Sequence, residues 1–139
     1  MAPCLHHGPC GLLADGNAMH WCHQFAAVPG GVFTDPGWSR FARITGIDLS
    51  SLPVSYLVLD RRPPKPPPQD ALRVLGRARV YKAHALVQVC DASGVREVQV
   101  AKRGLPEVFR ACRKHDLPSV ACWRIEQGHV VGEPAPGEA

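Results

Sequence analysis

Ala85-Leu86-Val87-Gln88-Val89-Cys90-Asp91-Ala92-Ser93-Gly94-Val95-Arg96-Glu97-Val98-Gln99-Val100 holds two β-rich runs on either side of a short turn. The runs extend over 83–90 and 95–102. The four residues between them carry the Asp and Gly that a tight reversal requires. This stretch predicts a β-hairpin. A third β-rich run, 72–81, precedes it. Downstream, Pro106 stands near the start of a predicted helix with Leu105, Val108, Phe109 and Cys112 at i, i+3, i+4 and i+7. A strand over 120–126 and a Gly/Pro/Glu-rich tail over 132–139, expected to be disordered, complete this half.

Upstream the pattern weakens. Five of the six residues from Pro63 to Pro68 are proline, which predicts a stiff polyproline excursion at the surface. Val54-Ser55-Tyr56-Leu57-Val58-Leu59 reads as a short buried strand ended by Asp60-Arg61-Arg62. Asp35-Pro36 offers a helix N-cap and Gly46 a stop, with Trp38, Phe41, Ala42 and Ile44 near helical spacing. That face is expected to pack on the domain. The first thirty-one residues show no sustained hydrophobic period, so something other than apolar burial must order them. The fold class expected is α/β, as one domain over 1–131.

Composition narrows the function. At 139 residues the chain can build one core, and its 45% hydrophobic and 20% charged residues suit a globular domain. A net charge of +4 leans weakly towards an acidic partner such as RNA. No apolar run approaches the ~20 residues of a membrane span, and no secretory leader opens the sequence. Six cysteines without an export signal point to reduced thiols, in a cytoplasm or a mitochondrial matrix. Gly-x-Ser-x-Gly and His-Glu-x-x-His are absent, so nothing supports a hydrolase.

The thiols carry the functional argument. Cys4, Cys10 and Cys22 fall within nineteen residues of irregular chain, and Cys90 lies far downstream at a predicted strand end. Four thiolates meeting there could hold an iron–sulfur cluster or zinc, and either would supply the missing ordering energy. Zinc sites commonly use tight C-x2–4-C pairs, which are missing here, so the spacing tilts towards a cluster. Nearby histidines keep zinc open, and unliganded thiols remain a third reading. Cys112 and Cys122 read as core hydrophobes.

Four segments resemble one family in order. They are Ala2-Pro3-Cys4-Leu5-His6-His7-Gly8-Pro9-Cys10-Gly11, Trp21-Cys22-His23-Gln24-Phe25, Ser55-Tyr56-Leu57-Val58-Leu59-Asp60-Arg61, and Lys82-Ala83-His84 followed by Cys90. Together they are similar to the mitochondrial-type, methyltransferase-like proteins of small ribosomal subunit assembly. Leu5 and Ala83 replace a family proline and glycine, and Gln24 is an insertion; no candidate ligand is lost. The resemblance implies a 4Fe–4S cluster on Cys4, Cys10, Cys22 and Cys90. It also implies the C-terminal part of a Rossmann-like methyltransferase fold. No Gly-x-Gly-x-x-Gly occurs, so S-adenosylmethionine would need an upstream domain or a separate chain.

Around this centre, His6 and His23 are expected beside the ligands, where hydrogen bonds tune a cluster. His84 is expected to orient a ligand or meet RNA phosphate. Arg61, Arg62, Arg73, Arg77, Arg79 and Lys82 are the candidate RNA contacts. Arg73, Arg77 and Arg79 share strand parity and would form a one-sided stripe for the phosphate backbone, or a charged edge against aggregation. The resulting expectation is a cluster-binding module that docks on small-subunit rRNA. The alternatives are an rRNA methyltransferase once joined to a cofactor-binding domain, and a zinc-stabilised interaction module.

Overall fold

The computed structural model describes residues 4–6, 8–14, 16, 21–26, 28–62, 66–68 and 70–132. It is a mixed α/β structure built on one curled six-stranded sheet with few helices. The central strands are β3 (Ala71–Val80), β4 (His84–Asp91) and β5 (Gly94–Ala101), an antiparallel meander. Alternation explains the pairing. Ala85, Val87 and Val89 of β4 and Val98 and Val100 of β5 bury one face almost completely, and a slip of one residue would invert all of them. The predicted hairpin forms, with Asp91 opposite Gly94.

Asp91 fastens that reversal. Its Oδ1 accepts from the Ser93 N–H at 2.8 Å, and Arg96 donates to both carboxylate oxygens at 2.6–2.7 Å. The Arg96 hydrogen bonds, helped by Ser93, hold its carboxyl down at about 2. A carboxyl depressed in the folded state stabilises above its unfolded pKa and loses that contribution as pH falls through the folded value. Screening at this partly exposed pair leaves about 1 kcal/mol. Stability should therefore fall between roughly pH 4 and pH 2, and Asp91→Asn should flatten that part of the curve. Urea midpoints across this range check it; an unchanged acid slope in the variant would remove Asp91 from the account.

The apolar face of the helix α3 (Pro106–Lys114) closes the core, placing Phe109 and Cys112 against the sheet. His115, at φ +55, ends it in the left-handed region. The segment expected as one strand over 120–126 is two. β6 (Val120–Cys122) pairs with β3 at one edge, and β7 (Arg124–Glu126) pairs at the other edge with β8 (His129–Gly132). Only Trp123 separates them, so the sheet must curl until its two edges meet at a buried tryptophan. β8 also runs parallel to β5, with Gln99 opposite His129. The sequence reading missed β8, although Gln127 and Gly128, at φ +49 and +80, form the X-Gly reversal typical of hairpins. Of the tail expected to be disordered over 132–139, Gly132 instead ends β8, and 133–139 lie outside the described residues.

Before this sheet, β1 (Gln24–Ala26) and β2 (Leu52–Val54) make a small antiparallel pair, with α1 (Gly31–Thr34) and α2 (Pro36–Thr45) between them. The α2 boundaries follow the sequence: Asp35 caps the Gly37 N–H at 2.7 Å, and Gly46 stops the helix at φ +70. Two expectations fail here. Of the buried strand expected over 54–59, only Val54 belongs to β2, and Tyr56, Leu57, Val58 and Leu59 are exposed. Trp38, Phe41 and Ile44 of α2 are exposed too, with Trp38 and Phe41 meeting edge to face. No second layer among the described residues covers this apolar surface, which pattern alone could not reveal. Of the proline-rich stretch, 63–65 lie outside the described residues, and Pro66, Pro67 and Pro68 are exposed.

Candidate metal centre

Cys90 sits next to the end of β4, with its Cα opposite Arg73 on β3 and Val95 on β5. Opposed residues of an antiparallel sheet share a face. Val89 points into the core, so Cys90, Arg73 and Val95 belong to the other side of the sheet. The cysteine-bearing segment is laid over that side. Cys10 precedes a 3-10 turn, Gly11–Leu13, which approaches the hairpin so closely that a Cβ on Gly11 would stand 2.9 Å from the Val95 nitrogen. Leu12 of this turn is 7% exposed, and Leu75 of β3 is 2% exposed although it lies outside the main core cluster. They are buried by the overlay.

β1 anchors the segment's far end. The Gly76 N–H donates to the His23 carbonyl and Gln24 Nε2 to the Val74 carbonyl, both at 3.4 Å. Gly76 adopts φ +63, and a Cβ there would meet His23 Nε2 at 2.7 Å. The positive φ favours glycine here. Two extra residues of β3 are accommodated at this point, between the Leu75–Gln88 and Arg79–Leu86 pairs. Immediately before β1, the Cys22 carbonyl accepts a hydrogen bond from Ser55.

The thiols are coupled. Burial pushes the Cys90 thiol up to about 11, and the charges of Cys4, Cys10, Cys22 and Asp91 push in the same direction. Cys22 is also raised, by burial first and then by Cys4 and Cys10, with Arg73 opposing. Cys22 and Cys90 thus each lie within electrostatic reach of the other three expected ligands. Four thiolates so placed repel one another, and a bound cationic group would relieve this while releasing protons.

Among the described residues, no group of three His, Cys, Asp or Glu side chains is arranged to hold one metal ion. His6 Nε2 lies 3.7 Å from Cys90 Sγ. Among the described residues, the buried side-chain nitrogens and oxygens without a hydrogen-bond partner are His6 Nδ1 and Arg73 Nε, and both side chains border the cysteines.

The other expected residues are distributed differently. His23 hydrogen-bonds through Nδ1 to the Trp21 carbonyl at 2.8 Å, and a carbonyl can only accept, so Nδ1 carries the proton. His23 therefore supports the β1–β3 contact, with its ring 4.6 Å from that of Trp21 and 5.5 Å from that of Phe25. His84 stacks on Tyr81 at 4.8 Å. The arginines of β3 do not form a uniform stripe: Arg73 is buried, Arg77 lies over the Phe25 ring at 4.4 Å, and Arg79 pairs with Glu97. Arg61 and Lys82 are exposed, and Arg62 is exposed and bound to Asp60. Cys112 is fully buried in the core, as expected; Cys122 is half-buried while Ala121 and Trp123 take the inward positions. Ala2, Pro3 and His7 of the first motif lie outside the described residues. Sequence reading missed the buried position of Arg73, which pairs opposite Cys90 on the neighbouring strand.

Comparison with family models, curated proteins and solved structures returns no match.

Proposed function

We propose that this chain is an iron–sulfur-binding module of small ribosomal subunit assembly, with a 4Fe–4S cluster on Cys4, Cys10, Cys22 and Cys90 and rRNA as its partner. One observation carries the metal reading. An irregular segment with three cysteines is laid over a fourth at a strand end, and the buried unpartnered nitrogens border that same place. When bound, the cluster would supply a rigid, anionic cross-link between the segment and the sheet. The chain's own residues do the remainder. Gly11 and Gly76 allow the close approach, Ser55 steadies the Cys22 backbone, and His6 stands where it can hydrogen-bond the Cys90 sulfur.

The RNA reading draws on the motif resemblance and on exposed cations such as Arg61, Lys82, Arg113 and Lys114. In the same reading the chain is the C-terminal portion of a Rossmann-like methyltransferase. Its sheet is antiparallel apart from the β5–β8 contact, so S-adenosylmethionine binding falls to an upstream domain or a separate chain. Zinc at the same thiols is the competing occupant, and it would make the chain an interaction module.

Anaerobic purification with iron and zinc supplied together, followed by metal analysis and a visible spectrum, tests the metal. A brown, dithionite-bleached protein is expected; a colourless, iron-free one after reconstitution defeats the cluster. Titration of an rRNA fragment over a salt series tests the partner. Affinity should fall steeply with salt, and no binding at low salt would defeat that half.

A further inference from the structure

We propose that Arg73 is the built-in counter-charge of the centre held by Cys4, Cys10, Cys22 and Cys90, and that it sets how readily that centre accepts an electron. The inference rests on the cluster reading above. Arg73 is 9% exposed, on a strand flanked by β4 and β6, with its Cα opposite Cys90 and Val120. A buried guanidinium is strongly unfavourable unless an anion answers it. Arg62, Arg79, Arg96, Arg110 and Arg124 all have a carboxylate partner. Among the described residues Arg73 has none, and its Nε bonds to nothing. Among the described residues, Cys22 lies within its electrostatic reach and would become an anion on losing its proton to bind metal.

That arrangement matches an anionic centre. A 4Fe–4S core of formal charge about 2+ under four thiolates carries about −2, and one-electron reduction makes it about −3. The guanidinium attracts the reduced form more strongly, so its presence raises the potential; net charge and hydrogen bonds to sulfur are the levers by which proteins set it. Apolar residues fill the neighbouring Leu72, Val74 and Leu75 positions, and an apolar residue at 73 would extend them. A buried cation there answers a charge.

The test uses the full chain, reconstituted without oxygen, with Arg73→Met preserving the stem's volume and removing the charge. A mediated one-electron titration, with dithionite as the reductant, reads the midpoint potential, and a chelator reads iron loss. The Met variant should titrate at a more negative potential and lose iron several-fold faster, while Arg73→Lys stays close to the unaltered protein. Should the Met variant fail to take up the cluster, Arg73→Gln, which keeps an N–H donor without charge, replaces it. Failure of both neutral variants with success of the Lys variant also supports the charge role. Identical potentials and loss rates in the unaltered and neutral proteins overturn it, as does failure of the Lys variant along with the others. A colourless unaltered protein overturns the cluster reading itself, so the two failures are distinct.

Discussion

On the proposed 4Fe–4S reading, Cys90→Ser and Cys22→Ser will each strip the reconstituted protein of its iron and its visible absorption, while Cys112→Ala and Cys122→Ser will leave both in place. The contrast follows from position. Cys90 and Cys22 are within reach of the other thiols of the centre, whereas Cys112 is fully buried beneath α3 among core side chains. Structural metal sites hold their ions with apparent free energies on the order of 10 kcal/mol, and loss of one thiolate removes a large part of this. Iron per chain, from about four in the unaltered protein to near background in the two variants, is the measurement. Retention of full iron by Cys90→Ser would remove the distant strand cysteine from the ligand set.

The same variants should keep a folded sheet. All members of the main core cluster lie between Leu72 and Val130, and none comes from the cysteine segment. Outside that cluster, Leu75 and the segment's own Leu12 are buried. Uncovering an apolar side chain of that size costs about 2 kcal/mol, well below the 5–15 kcal/mol typical of a domain. Far-ultraviolet circular dichroism should therefore show a cooperative transition at a lowered midpoint. Amide exchange should rise over 4–26 and stay slow in β4.

This division also explains which parts of the structure were legible beforehand. The β3–β4–β5 meander, the Asp91–Gly94 reversal and both longer helices could be read because each is local: alternation, an Asp and Gly in a turn, Pro near a helix start. Trp123 was not legible. An unbroken run from Val120 to Glu126 looks like one strand, and only closure of the sheet on itself forces the chain to change edges there. The exposed run over 55–59 misled for the related reason that burial is decided by what lies opposite, which no local pattern states. At the candidate centre the four cysteines could be singled out by type and by irregular surroundings. Arg73 could not be placed, because a cation on a β-strand ordinarily marks a solvent-facing edge, and its burial depends on a segment fifty residues away in sequence.

Trp123→Ala will be among the most destabilising single substitutions in the sheet, costing ~3–5 kcal/mol. Trp123 is 3% exposed and stands where the two edges of the curled sheet meet, with β6 on one side and β7 on the other. Its backbone N–H donates to the Asp70 carbonyl at 3.3 Å, fixing the chain at the crossing. Removing the indole leaves a void between elements whose relative position it sets, and six strands cannot all move inward to fill it. Trp123→Phe keeps an aromatic plug and should cost about half as much. Trp38→Ala is the internal control: 46% exposed on α2, it should change stability by less than ~0.5 kcal/mol. Chemical denaturation of the three variants, followed by circular dichroism so that tryptophan removal does not blind the probe, gives the comparison. Equal midpoints for Trp123→Ala and Trp38→Ala would mean that the sheet does not depend on closure at Trp123.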